Sequence, residues 1–465
     1  MEARDLTLAQ ASTKMAAKEL SPVELFDSVS RQIAQHDTEV GAFAALTLET
    51  ARTQAEAAEA RYASSTPMGP LDGIPVGIKD LAQTAGVTAT SSSKTREGVV
   101  ATEDSAVTAR LRAAGATLIG QTHTHEYAYG VITPTTRNPW NPDRIPGGSS
   151  GGSGAAVASR MILGALGTDT GGSIRIPSSI NGITGLKPTY GLVSRYGITS
   201  LSWALDHAGP MARTVEDTAM LLQVMAGFDA RDPASLQVEV PQYRSEATGE
   251  VSGRTFGVPT NYFFDRIQPD VEAAFDAAVQ TLADAGATIR DVELPHAELY
   301  MPIEYALLVA DASAYHQDML RDKASLYEAD VRLLLEAGEF LLATDYLKAV
   351  RARRLVQQGW REMFEQGLDA VLAPTLPAVA VPAADPIVRW PDGSSSEAID
   401  AYVRTSAPGN LTGLPTLSVP CGFDGEGLPI GLQIIGRPLD EVGVLNIGRA
   451  FESATDFADR MPTGL

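Results

Sequence analysis

Gly147-Gly148-Ser149-Ser150-Gly151-Gly152-Ser153-Gly154 and Gly167-Thr168-Asp169-Thr170-Gly171-Gly172-Ser173-Ile174-Arg175 are two glycine-rich runs joined by an apolar segment. Glycine opens backbone conformations closed to other residues, and such runs can turn several N–H groups toward one point, where an anionic oxygen fits. A serine hydroxyl beside those donors, with a base to take its proton, supplies the parts of acyl transfer. Taken alone, a GGSSGG run reads more readily as a flexible turn. The second run and Lys79 shift the balance toward chemistry. Lys79 ends Ile74-Pro75-Val76-Gly77-Ile78, whose alternation of apolar and small residues reads as a strand, and strand ends are where open α/β sheets place reactive groups.

Outward from these runs, helices and strands alternate. Ser21-Pro22-Val23-Glu24 is a capping box with proline at the first helical position, opening a helix to about Gln35, and an alanine-rich helix follows over about 49–63. Helical spacing over 104–114, 271–285 and 344–365 precedes the short apolar strands 117–120, 287–289 and 370–373. Residues 416–419 and 430–435 read as buried strands, with a helix from about Val442. The expected fold is α/β, a large mixed, mostly parallel twisted sheet covered by helices on both faces. One domain spans 1–465: N-terminal helices to about 65, a catalytic core over 66–230, a pocket-lining helical region over 231–410, and C-terminal strands and helix beyond. The proline-rich stretch 374–396 reads as a loop, at the pocket edge or on the surface.

Composition narrows the function. The chain of 465 residues is 44% hydrophobic and 20% charged, ordinary values for a globular protein. A formal charge of −21 without clustered Lys and Arg argues against nucleic-acid binding. No apolar run approaches the ~20 residues that cross a bilayer, and the start Met1-Glu2-Ala3-Arg4-Asp5 does not resemble a secretion signal. A cytoplasmic enzyme without membrane contact is expected. The single cysteine, Cys421, reads as buried and structural.

Rival motifs are weaker. Residues 148–152 match the G-x-S-x-G elbow, which needs an acid and a histidine downstream; His207, His296 and His316 leave that open. Ser91-Ser92-Ser93-Lys94 matches S-x-x-K without its companion motifs, and the glycine run lacks the Lys-Ser/Thr end of a P-loop. His123 and His125 have no clear third ligand, so neither a metal nor another cofactor is expected.

The residues resemble the amidase signature hydrolases from about Leu71 to Gly436. The likeness is densest at Asn138-Pro139-Trp140, the two glycine runs, residues 185–191 and Asp206-His207-Ala208-Gly209-Pro210. The resemblance implies a Ser–cisSer–Lys triad with Ser173 as nucleophile, Ser149 as bridging serine after a cis peptide bond, and Lys79 as terminal base. The oxyanion hole would be the N–H groups of Thr170, Gly171, Gly172 and Ser173. Lys79 must then be neutral, and burial lowers a lysine's pKa from its free value of about 10.4. Ser150 rivals Ser149 as the bridge or touches substrate. Asp169 and Arg175 brace the loop as a buried ion pair. Tyr127 lines the acyl pocket.

The expected reaction is cleavage of a carboxylic amide C–N bond in a small-molecule substrate through a Ser173 acyl-enzyme. The alternatives are a glutaminase subunit of a tRNA-dependent amidotransferase, or a specialised hydrolase of aryl amides, hydrazides, carbamates or ureas. Arg353 falls where the glutaminase subunit holds the glutamine carboxylate, but Val403 stands where its acidic residue would meet the amine. The family likeness favours a homodimer.

Overall fold

A computed structural model describes residues 2–463. Its strands are β1 (Phe43–Leu46), β2 (Pro75–Lys79), β3 (Thr117–Thr122), β4 (Gly164–Asp169), β5 (Thr184–Lys187), β6 (His207–Ala212), β7 (Thr255–Pro259), β8 (Thr288–Val292), β9 (Ala370–Pro374), β10 (Ile387–Arg389), β11 (Ser395–Glu397), β12 (Thr416–Phe423) and β13 (Pro429–Gly436). Eleven of them form one sheet in the order β1-β3-β2-β4-β6-β5-β12-β13-β9-β7-β8, while β10 and β11 make a separate hairpin. The expected large mixed sheet is present, but its parallel share is smaller than the sequence reading. Only β2–β3, β2–β4, β7–β8 and β7–β9 run parallel, and the middle of the sheet is antiparallel. The βαβ rhythm holds at the two ends, where helical crossovers return the chain in the same direction. Between them lie β4 and β6, which are rich in glycine and alanine and carry little strand signal. They are strands because small residues let neighbours close in: a Cβ on Gly164 would meet Leu221 Cδ1 at 2.5 Å.

Helices cover both faces. On β9, Ala370 and Leu372 belong to one buried apolar cluster and Val371 and Ala373 to another, as the two-residue period of a strand requires. The first cluster takes in the helices Pro269–Asp284 and Glu441–Ser453, the second Tyr300–Lys323 and Ala343–Glu365. The N-terminal cap forms as read. Ser21 Oγ accepts from the N–H of Val23 and Glu24, and Glu24 answers by accepting from Ser21 N–H. That helix runs Pro22–Val40, past the expected end, and stops at Gly41, whose φ of 62° is left-handed. The stretch 374–396 is only in part a surface excursion: Leu376, Ala378, Val388 and Trp390 are buried in a third apolar cluster with Tyr402 and Val403, while Ala384, Asp385 and Pro391 to Gly393 are exposed. Among the described residues no helix is long and apolar enough to cross a membrane.

Candidate active site

Lys79 is the last residue of β2, and β2 lies between β3 and β4, so its side chain enters a fully covered interior. Its Nζ stands 2.7 Å from Ser149 Oγ, 2.8 Å from Ser150 Oγ and 2.8 Å from Thr168 Oγ1. Burial pushes the ammonium well below the usual lysine range, only partly opposed by the charges of Asp169 and Asp206. Asp80, the next residue, turns away and accepts from Thr90 and Ser92. The peptide bond Gly148–Ser149 is cis.

Ser149 and Ser150 precede the short helix Gly151–Ala158, and Ser173 sits in the loop between β4 and the helix Arg175–Asn181. The two loops are tied together by Ser150 N–H, which donates to the Ser173 carbonyl at 3.3 Å. Ser173 is 6% exposed, and its hydroxyl makes no hydrogen bond to another described residue. Ser150 differs from the substrate contact expected of it. Its hydroxyl donates to Thr168 O at 3.2 Å and accepts from Thr168 N–H at 3.3 Å, so it fastens Lys79 to β4.

The loop around Ser173 is shaped by Asp169. This carboxylate accepts from the N–H of Gly172 at 3.0 Å and of Ile174 at 3.1 Å, and pairs with Arg175 at 2.9 Å, both side chains fully buried. Burial alone would raise its pKa; the charges of Arg175 and Lys187 and the Asn410 amide overcome that and hold it well below the carboxylate range. Arg175 reaches on to Ser406 O, Gln433 Oε1 and Asn410 Oδ1 at 2.9, 2.7 and 2.6 Å. Gly172 takes a φ of 113°, which suits glycine. Its N–H, expected among the oxyanion donors, is committed to Asp169. The N–H groups of Thr170, Gly171 and Ser173 have no hydrogen-bond partner among the described residues. Preorganised donors of this kind are what a developing oxyanion requires.

Sequence reasoning left two supports unassigned. Asp206, inside a quoted landmark, accepts from Thr170 Oγ1 at 2.7 Å, from Ser200 Oγ at 2.7 Å and from the N–H groups of Leu201 and Ser202 at 3.0 Å, fixing Thr170 from below. Thr168 is the third hydroxyl on Lys79; its position at the end of a strand of small residues gave no separate signal. A small cavity adjoins this region, lined by Leu81, Ala128, Thr170, Leu201 and Trp203.

Tyr127 and Arg353, the two further substrate contacts expected, are both already bonded within the protein. The Tyr127 hydroxyl lies 2.5 Å from Thr95 Oγ1, and its ring packs edge-on against His316 in the apolar cluster of the second face. Arg353 donates to the carbonyls of Leu411 at 2.7 Å and Ala204 at 3.0 Å, closing the end of the helix Ala398–Thr412. His125 Nδ1 accepts from Thr133 N–H and its Nε2 faces Asp330 at 3.1 Å. His207 is buried and held neutral by burial, with Nδ1 2.6 Å from Leu205 O. Cys421 is buried, and burial pushes its thiol up.

Known proteins resemble the chain along almost its whole length. The family model described as Amidase matches residues 24–445. An amidase of Pseudomonas putida is 48% identical over 458 residues, covering 98% of this chain and 97% of that protein. A glutamyl-tRNA(Gln) amidotransferase subunit of Roseiflexus sp. is 42% identical over 487 residues, covering 98% of each. Among solved structures, a bacterial aryl acylamidase of the amidase signature enzymes superposes with a TM-score of 0.88 at 28% identity, covering 99% of each chain. The match extends across the sheet, both helical layers and the two serine loops, and on that ground the chain belongs to the amidase signature family and is a hydrolase acting on amide carbon–nitrogen bonds.

Proposed function

We propose that the protein is a free-standing amidase in which Ser173 attacks the substrate carbonyl, Ser149 relays the proton and neutral Lys79 receives it. The observation that carries this is the fully buried Lys79 Nζ at 2.7 Å from Ser149 Oγ, beside the loop of Ser173. A neutral amine has two N–H donors and one lone pair. Ser150 spends its proton on Thr168 O, so it accepts from Lys79. Ser149 Oγ has no partner but Lys79 among the described residues, so its proton is free for the lone pair and its oxygen for the Ser173 hydroxyl. Hydrogen bonds of this sort tighten when substrate fills a site.

As Ser173 Oγ bonds to the carbonyl carbon, its proton passes to Ser149 and that of Ser149 to Lys79. The oxyanion is received by the N–H groups of Thr170, Gly171 and Ser173. The C–N bond then breaks as the leaving nitrogen takes the proton back through Ser149. Water, deprotonated by the same relay, attacks the acyl-enzyme and releases the carboxylate.

The free-standing reading is favoured over a glutaminase component because Arg353 is occupied by backbone carbonyls and Val403 offers no charge to an amine. Purified alone, the protein should release ammonia or amine from simple amides. Ser173→Ala should abolish turnover, and full activity in that variant overturns the assignment.

A further inference from the structure

Two buried polar side chains beside the Ser173 loop have no hydrogen-bond partner among the described residues. Glu304, in the helix Tyr300–Lys323, is fully buried, and neither carboxyl oxygen is bonded. Its Oε1 lies 3.2 Å from where a Cβ would stand on Gly171, with Val403 Cγ1 at 3.3 Å from the same point. Ser406, in the helix Ala398–Thr412, is fully buried, has an unbonded Oγ and lies against Gly172. Facing helices thus aim a carboxyl and a hydroxyl at consecutive residues of the loop.

An unbonded buried polar group gives up its hydration for nothing, so folded proteins keep few of them. The other carboxyls around this site are satisfied: Asp169, Asp206 and Asp80 each accept from at least three donors. Glu304 is the exception. Burial raises its pKa well above the usual range, with the charges of Arg353 and Arg175 opposing, which favours the protonated carboxyl, a group with one donor and an acceptor to offer. A local cost kept at an active site points to a partner that arrives with the substrate.

We propose that Glu304, with Ser406 beside it, is a specificity-determining residue that hydrogen-bonds a hydroxyl or amino group on the first or second carbon of the substrate's acyl part. This rests on the proposed function, which sets the carbonyl oxygen on the N–H of Gly171. A carboxyl in contact with Gly171 is then within reach of a substituent one or two carbons from the carbonyl and out of reach of more distant ones. The enzyme's preferred substrates are small hydroxy- or amino-acid amides; plain alkyl amides leave Glu304 unbonded.

The test compares kcat/KM for lactamide, 3-hydroxypropionamide and alaninamide with that for propionamide. Wild type should prefer at least one polar amide by about tenfold or more, the yield of one buried hydrogen bond. Glu304→Leu should erase that preference while keeping propionamide hydrolysis and matching or exceeding the wild-type Tm. Glu304→Gln, which still donates and accepts, should retain the preference for a hydroxyl. Equal kcat/KM for polar and plain amides in wild type overturns the proposal and leaves the proposed function standing, as does a folded Glu304→Leu with an unchanged preference. If no amide is turned over, the proposed function falls. Glu304 is then read by calorimetric binding of lactamide and propionamide to Ser173→Ala with and without Glu304→Leu, where equal affinities overturn it.

Discussion

Replacing Asp169 with asparagine is a near-isosteric change whose cost can be worked from its neighbours. One carboxylate oxygen accepts from Gly172 N–H, Arg175 Nη2 and Asn410 Nδ2, the other from Ile174 N–H and Arg175 Nε. Asparagine keeps one acceptor oxygen, so in either orientation its amide NH2 faces at least two donors. Arg175, fully buried, also loses its counter-charge. Removing one member of a buried pair costs about 3–5 kcal/mol. With an unfolding entropy of about 2 cal/mol/K per residue, a chain of this length loses roughly 1 °C of Tm per kcal/mol, so a fall of roughly 3–5 °C is expected.

The catalytic effect should be larger than the thermal one. If Gly172 N–H is released, the loop moves and the free donors on Thr170, Gly171 and Ser173 lose their aim; one misplaced donor costs ~10²–10³ in kcat. The pH dependence has a definite sign. A carboxyl lowered in the fold stabilises it above its free value of 3.8, and that advantage fades as pH falls toward the lower folded value. The Tm gap between wild type and Asp169→Asn should therefore hold from neutral pH down to about pH 4 and shrink below it. Thermal unfolding across pH, paired with amide turnover at neutral pH, measures both. Wild-type kcat and Tm in the variant would refute the claim that this carboxylate sets the loop.

Lys79→Met should lose turnover yet unfold at a higher temperature than wild type near neutral pH, because burial holds the amine's pKa well below its value in the unfolded chain, and that difference opposes folding below the free lysine value. In wild type, kcat/KM should climb as pH rises through the depressed Lys79 value, and a flat profile would exclude Lys79 as the base. Asp217 is fully buried with Oδ2 unbonded, and burial raises its carboxyl to about 6 from 3.8. That raised value opposes folding as pH climbs from 3.8 to about 6, so Asp217→Asn should gain about 3 kcal/mol (two pKa units) above pH 6 and nothing below pH 4, read by denaturant unfolding. Asp206→Ala should leave Thr170 untethered and lower kcat more than it raises KM, measured by steady-state kinetics.

Local chemistry made part of this legible in the sequence. Ser21 and Glu24 announced a helix start because a cap is a contact between neighbours in the chain. Lys79 could be placed at a strand end by alternation alone, and the spacing of the two glycine runs matched a known family. Pairing between distant segments left no such trace. β4 and β6 lack β-branched apolar residues, so these two strands and the antiparallel pairing they make left no sign in the sequence. Ser149 and Ser150 are adjacent and look alike; only the fold shows that Ser150 is closed by Thr168. Gly172 looks like a free donor in the sequence, and the fold ties it to Asp169, three residues back. Glu304 sits in a helix of ordinary pattern, and an unbonded carboxyl is a property of its surroundings that no local pattern encodes. The stretch 374–396 has five prolines, which limit its regular structure to the end of β9 and the short β10–β11 hairpin without denying it burial.

The grip of Arg175 on Ser406, Asn410 and Gln433 has a consequence for the order in which the site is assembled. Lys79, Ser149 and Ser173 are all present once the ribosome has passed residue 173, yet the partners that anchor Arg175 beside the Ser173 loop lie 231 to 258 positions beyond it. A nascent or clipped chain lacking everything from Ser406 onward keeps the Asp169 and Asp206 contacts of the loop and loses the three outer anchors of Arg175. The support of the Ser173 loop is therefore completed only when the helix Ala398–Thr412 and strand β13 have been made and have docked on Arg175.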